Sequence, residues 1–343
     1  MEKLSKEERT NIKISEANLN KQIKAGMYPK EFTMPVGLQF ELTADCNLRC
    51  RHCYNRSGDA DKKTLMNVDK WVDFSKYIAA HGGVFQCILS GGEPLLLGDG
   101  IFKIMDVLHD DGTGFVLITN GYLVDEKIVE RLRKYRFFWV QVSIDGSDNN
   151  FHDEFRAKAG SWEKAVRAAV MISSAGLPLT IASSVTPQNI DKIEDMADLA
   201  YSLGASTIIL GEVMVSGRSY KNKDTLLSQE ESVKMKQIIK KLEMRYFERM
   251  TVQTSATDVY QLNYSKTSPN TTAIIRPNGD VRLDCVAPFI GGNVLKQDFA
   301  EIWNKKLKNV WENPAVLKYA EDMTHMPDFE MDMINHVDDD IEL

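Results

Sequence analysis

Continuous apolar runs alternate along the first two thirds of the chain with segments whose apolar positions recur every three to four residues. The runs are Gly37–Thr43, Val84–Leu89, Gly114–Thr119, Phe138–Ile144, Leu179–Val185 and Thr207–Met214. They are rich in Val, Ile and Phe and lack clean alternation, as strands buried on both faces do. The segments between them predict helices. Ser161 precedes a stripe of Trp162, Ala165, Val166, Ala169 and Val170, which Gly176 and Pro178 stop. Asp125 opens a helix with Ile128, Val129 and Leu132 inward; Asn189 opens one with Ile193, Met196 and Ala200 inward, ended by Gly204. Val68, Trp71 and Val72 begin another, and Ser228 with Glu231 forms a capping box after the sixth strand. Six strand–helix units in succession predict an α/β fold with a parallel sheet and right-handed crossovers. Six units suit an open, partial (β/α)6 barrel better than a closed eight-stranded one.

The pattern changes near residue 250. Residues 251–272 are polar and rich in Ser, Thr and Asn, which predicts a linker or loop. The stretch AIIRPNGDVRLDC then reads as a β-hairpin, with Asn278-Gly279 supplying the left-handed turn. Phe299, Ile302, Trp303, Val310 and Trp311 fall on one face of a helix expected to end near Pro314. The expected organisation is a helical extension over 1–35, the barrel over 36–225, a connecting helix over 226–250, a small α+β module over 251–327 and a solvated acidic tail over 328–343. A module of that size has little core of its own, so it is expected to pack on the barrel.

Composition narrows the function classes. Hydrophobic residues make up 43% of the 343 positions, enough for a sizeable core. The net charge is −7, and no basic stripe marks a surface for nucleic acid. No apolar run reaches membrane-spanning length, and the polar start MEKLSKEERT carries no secretory signal, so a cytoplasmic protein is expected. Of five cysteines, Cys46, Cys50 and Cys53 fall within eight residues after the first strand, while Cys87 and Cys285 lie apart. An odd number in a reducing compartment argues against a disulfide framework.

The spacing C-x3-C-x2-C places three thiolates on one loop at the carboxyl end of a strand, the face that carries active sites in βα barrels. Three such ligands can hold three corners of an iron–sulfur cubane and leave the fourth iron open. Arg49, Arg51 and Arg56 interleave them, and cations would stabilise an anionic cluster. Zinc held by the three cysteines and His52 is the competing reading. The adjacency of His52 to Cys53 and the lack of paired knuckles count against it.

The segment resembles the radical S-adenosylmethionine (SAM) superfamily. Cys46, Cys50 and Cys53 match its CxxxCxxC signature, and Ser90-Gly91-Gly92-Glu93-Pro94 after the second strand matches its GGEP motif. Two glycines allow close approach of backbone to a ligand, and Glu93 is suited to accept from the SAM ammonium. The resemblance implies further positions. Ser143 takes the place of the serine that meets the ribose, and Arg156 that of the arginine at the SAM carboxylate, the bland alternative being a surface salt bridge to Asp153 or Glu154. Residues 211–218, GEVMVSGR, stand where backbone meets adenine, and His52 stands where an aromatic residue faces the cofactor. Thr119-Asn120-Gly121 is either a cavity lining or an ordinary turn.

What the resemblance implies chemically is a [4Fe-4S] cluster that gives one electron to SAM and releases a 5′-deoxyadenosyl radical. That radical removes a hydrogen atom from the substrate, with an external one-electron donor supplying the cluster. The stretch from Ile275 to Trp303 resembles a SPASM domain, the extension found in peptide-modifying members, but it is short of cysteines. Cys87 reads as a buried hydrophobe, so a single cluster is expected. Cys285 then reads either as a packed relic or as a hydrogen-atom donor in an epimerisation. The expected function is modification of a peptide, with a small molecule such as an aminoglycoside or nucleoside as the alternative substrate and a catalytically inert binding protein as the remaining one.

Overall fold

The structure is a computed structural model and describes residues 6–255, 258–325 and 340–343. The chain divides into two compact units: Phe40–Ser255, and a smaller one made of Met1–Gln39 with Ala256–Leu343.

The larger unit is built on strands β1 (Gly37–Glu41, whose first residues fall in the smaller unit), β2 (Gln86–Ser90), β3 (Gly114–Thr119), β4 (Phe137–Ser143), β5 (Leu179–Val185), β6 (Thr207–Glu212) and β7 (Thr251–Thr254). They lie side by side in chain order, and β2 through β7 are parallel. All six expected strands are present. The seventh corrects the linker expected from residue 251: Thr251 to Thr254 pair with Thr207 to Leu210 of β6. Only Val252 of that strand is buried, so it left no apolar run to read.

Helices cover this sheet. Trp71, in the helix Val68–Ala80, is fully buried with its ring centroid 4.8 Å from that of Phe40, and its indole donates to the Leu42 carbonyl at 3.0 Å. That bond fixes where β1 ends and the cysteine loop begins. Asp125 caps Glu126–Leu132 and Ser228 with Glu231 closes a capping box on Gln229–Arg245, both as expected. Two caps differ. Ser161 is the first residue of its helix rather than the cap; Gly160 stands before it at φ +76°, and Asp153 accepts from Gly160 N, Trp162 N and the Ser161 hydroxyl at 2.7–2.9 Å. The buried face of that helix is Ala165, Ala168, Ala169 and Ile172, while Val170 is exposed. Asn189 precedes a single 3₁₀ turn, Ile190–Lys192, before the helix Ile193–Ser202. Its amide donates to the carbonyls of Asp145 and Ser184 instead of capping.

The smaller unit holds the helix Lys6–Lys24 and strands β8 (Thr272–Ile275), β9 (Asp280–Arg282), β10 (Phe289–Asn293) and β11 (Ile341–Glu342). β8, β9 and β10 are antiparallel neighbours, and β11 runs parallel to β10. The hairpin forms, but Gly279 alone takes positive φ (+90°), with Pro277 and Asn278 as the central residues of a tight turn closed by Gly279 N on Arg276 O. The helix expected over 299–311 is broken into an α turn (Phe299–Ile302), a π turn (Trp303–Leu307) and a 3₁₀ turn (Val310–Glu312). Its five apolar residues are nonetheless all buried. Pro314 opens the next helix, Pro314–His325, rather than ending this one.

Further elements differ from the expected boundaries. The helix Asp258–Ser265 lies inside the expected linker, and Gln229–Arg245 belongs to the larger unit. Residues 328–339 of the expected acidic tail lie outside the described residues. Residues 340–343 are ordered: Asp340 pairs with Arg276 and Arg282, and β11 extends the sheet, with Ile341 and Glu342 exposed. Among the described residues no helix is long and apolar enough to cross a membrane.

Candidate active site

The chain leaves β1 at Leu42 and is stitched at once to the end of β2. Leu42 N donates to Ser90 O, Gly92 N to Thr43 O and Glu93 N to Asp45 O, at 2.7–3.0 Å. The two motif glycines are needed for this stitch. A Cβ on Gly92 would stand 1.9 Å from Asp45 O, and one on Gly91, at φ +127°, 2.7 Å from Thr43 O. The close approach expected toward a ligand is thus, in the first place, an approach to the backbone that launches the cysteine loop.

Beyond the stitch, Cys46, Cys50, Cys53, His52, Gly91, Gly92, Ser143 and Arg156 line one pocket of about 160 Å³. Tyr54, Asn120 and Arg218 are also in its wall. The pocket lies at the carboxyl ends of β1 to β4, and it gathers eight of the expected site residues.

Glu93 and Pro94 do not line it. Pro94 is buried at the start of a 3₁₀ turn, Pro94–Leu97, and Glu93 is fully buried as its cap. The Glu93 carboxylate accepts from Leu95 N (3.2 Å), the Thr119 hydroxyl (2.8 Å) and Asn120 N (2.9 Å). Burial pushes its pKa up to about 7, against the pull of those donors. Its donors are the protein's own, where an ammonium had been expected.

Arg156 is buried, and its ion pair is with Asp145 at 2.7 Å, not the surface contact with Asp153 or Glu154 that stood as the bland alternative. Asp145 was missed, although a carboxylate just past the end of β4, in VSIDG, is the signal that could have found it. Burial opposes its charge, but Arg156 and the neighbouring histidines hold its carboxyl below the usual range. Its other oxygen accepts from Ser184 N, and its own N–H donates to His152 Nδ1. The His52 ring stacks on Phe155 (4.1 Å, 12°), the aromatic contact expected of it with a cofactor being made on one face with protein. Burial takes both His52 and His152 down to about 4, so they are neutral at pH 7.

The three thiols share a pocket rather than a point: among the described residues no group of three His, Cys, Asp or Glu converges as a single-ion site. A cubane needs its ligands spread around a cavity in this way. Burial pushes Cys50 up to about 12, Arg156 opposing, and raises Cys46. Cys46 Sγ faces Leu48 N at 3.5 Å and Asn120 Nδ2 at 3.9 Å, donors suited to a ligating thiolate. Asn47 Nδ2, beside Cys46, is buried without a partner. Among the described residues no carboxylate lines the pocket. Soft, anionic ligands, facing N–H donors, an orphaned amide and arginines fit an iron–sulfur cluster with a second, carboxylate-bearing ligand. The cations concerned are Arg156 and Arg218. Arg49 instead donates to the carbonyls of Cys46 and Leu48, Arg51 pairs with Asp224, and Arg56 with Asp61. Cys87 is buried in β2. Cys285 belongs to the smaller unit, with Gln261 Nε2 3.8 Å from its sulfur.

Comparison with known proteins agrees with this geometry. Residues 40–200 match the family model of the Radical SAM superfamily. The chain is 35% identical over 184 residues to the AdoMet-dependent heme synthase of Methanosarcina barkeri, which covers 54% of this chain and 52% of that one. It is 26% identical over 295 residues to the antilisterial bacteriocin subtilosin biosynthesis protein AlbA of Bacillus subtilis, covering 83% and 63%. The chain therefore spans less than two thirds of either relative's own length. Among solved structures it resembles Streptococcus suis SuiB bound to S-adenosylmethionine, with a TM-score of 0.65, 15% identity, and coverage of 84% of this chain and 69% of that one, a likeness of fold alone.

Proposed function

We propose that this chain, whose residues 40–200 match the family model of the Radical SAM superfamily, is an enzyme that holds a single [4Fe-4S] cluster on Cys46, Cys50 and Cys53, binds SAM in the same pocket, and modifies a peptide. The observation that carries the proposal is the gathering of all three thiols around one carboxylate-free pocket with Arg156 in its wall. When bound, the cluster supplies one electron to the sulfonium of SAM, and the resulting 5′-deoxyadenosyl radical takes a hydrogen atom from the substrate. The chain's own groups bind and orient. Arg156 meets the SAM carboxylate, its charge held in place by Asp145. Ser143 meets the ribose, His52 offers the ring face turned from Phe155, and the backbone of Gly91 and Gly92 borders the ligand. An external donor, docking without membrane or nucleic acid, returns the electron in the cytoplasm.

A peptide substrate is supported by the bacteriocin biosynthesis relative, whose similarity runs over 83% of this chain, and by the SPASM-like order of hairpin, turn and helical segments over β8 to Trp303. A small-molecule substrate is the second reading, favoured by the heme synthase relative. Anaerobic reconstitution is expected to yield about four irons per chain. Incubation with SAM and dithionite is expected to release 5′-deoxyadenosine, and replacing the three cysteines by alanine to abolish both. A zinc-only protein, or an intact cluster that never cleaves SAM, overturns the proposal. Assay against the peptide encoded beside the gene, and against tetrapyrroles, separates the two substrate readings. If the reaction is an epimerisation with Cys285 as hydrogen donor, turnover in D2O places deuterium on the product carbon, and Cys285→Ala stops inversion but not SAM cleavage.

A further inference from the structure

The segment after β6 grips the cysteine loop by its carbonyl groups. Arg218 N donates to Cys53 O at 2.9 Å, and Arg218 Nε to Cys50 O at 2.8 Å. Arg218 Nη1 reaches Ser57 O at 3.1 Å and the Asp59 carboxylate at 2.6 Å. On either side, the Ser216 hydroxyl donates to Tyr54 O at 3.2 Å and Asn222 Nδ2 to Arg51 O at 3.1 Å. Gly217 is where the two segments touch: at φ +58°, a Cβ there would stand 2.2 Å from Tyr54 O and 2.5 Å from Cys53 O. Five carbonyls between residues 50 and 57 are therefore held from a segment more than 150 positions away in sequence, two of them belonging to the thiol-bearing residues themselves. Arg218 also lines the pocket.

We infer that Arg218 is the positioning residue of the cluster loop. Its planar fork fixes the backbone that aims Cys50 and Cys53 into the pocket, and its charge favours an anionic cluster there. The inference rests on the proposed cluster but concerns a residue to which the resemblance gave only a place in a backbone segment.

The two functions of the side chain separate in the test. In the metal-free protein, alkylation of Cys50 and Cys53 by iodoacetamide, followed by peptide mass spectrometry with buried Cys87 as internal standard, is expected to quicken about tenfold in Arg218→Met. That is the effect of losing about one charge-assisted hydrogen bond. After reconstitution, the same variant is expected to lose iron to a chelator about tenfold faster, and its cluster midpoint potential, followed by EPR, to move to more negative values. Arg218→Lys restores the potential but not the protection of the thiols, because it keeps the charge and loses the fork. Alkylation and chelation rates within twofold of the parent in Arg218→Met overturn the inference. Should circular dichroism show Arg218→Met unfolded, Arg218→Lys and Asp59→Asn are judged by the same rates. A parent protein that takes up no iron defeats the functional proposal, yet the alkylation rates still decide the role of Arg218.

Discussion

The two units solve the problem of burying apolar surface differently. In the larger, each of β1 to β6 is followed by helix, the strands lie in chain order, and polar groups concentrate at one end of the sheet, where Asp145, Arg156, His152 and Glu93 are buried. In the smaller, beside the long helices Lys6–Lys24 and Pro314–His325, three different kinds of helical turn in succession bury Phe299, Trp303 and Trp311. The difference teaches where costly polar chemistry is tolerated. A sheet whose registers are fixed over four to six residues per strand positions buried charges closely enough to satisfy one another. The short strands and turns of the smaller unit spend their order on packing. Even so, the smaller unit sets Arg276 and Arg282 against Asp340, a buried ion pair on a minor scale.

Breaking the polar end of the larger unit is expected to have the largest effect. Arg156→Met leaves the Asp145 carboxylate buried and unpaired, and should cost about 3–5 kcal/mol in urea unfolding of the metal-free protein. The paired change Arg156→Met with Asp145→Leu should recover much of that. In the smaller unit, Gly279→Ala forces a Cβ at φ +90° to within 2.8 Å of Leu295 Cγ, and should cost about 1–3 kcal/mol. Ser228→Ala removes one half of a capping box on an exposed helix start and should cost about 1 kcal/mol. The remaining effect is read as a slope. His52 and His152 titrate near 4 when folded and near 6.5 when unfolded, so the stability they contribute is present above 6.5 and is lost as pH falls toward 4. Glu93 acts oppositely: with its folded value near 7, its contribution is present below 4.5 and is lost as pH rises through 7. Glu93→Gln should therefore steepen the rise of the urea midpoint between pH 4.5 and 6.5. An unchanged slope would mean that Glu93 is charged throughout.

The same contrast decided what could be read in advance. Buried parallel strands announce themselves as apolar runs, so β1 to β6 were legible, and so was the loop carrying three cysteines after the first of them. β7 was not, because TVQT buries one residue and depends on β6 for its existence. The break of 299–311 into unlike turns was hidden because all five marker residues are buried whichever helix type carries them. Within the site, motif spacing named Cys46, Cys50, Cys53, Gly91, Gly92, Ser143, Arg156 and His52, which the structure brings to one pocket. Glu93 and the three loop arginines turn to partners within the protein, because a motif names a residue without saying which way its side chain turns. Asp145 stood in a legible place past β4 but its partner Arg156 lies 11 positions on, and Arg218 acts through a contact spanning 168 positions, which no local pattern encodes.

Asp145 has a practical consequence for redesign. Its N–H, its carbonyl and both carboxylate oxygens are all engaged, by His152, Asn189, Ser184 and Arg156. Directed evolution of this pocket toward new substrates should therefore freeze position 145 and its four partners. Diversity belongs at Tyr54 and Ile118, pocket-wall positions outside that knot, where a library can change shape while most of its members still fold.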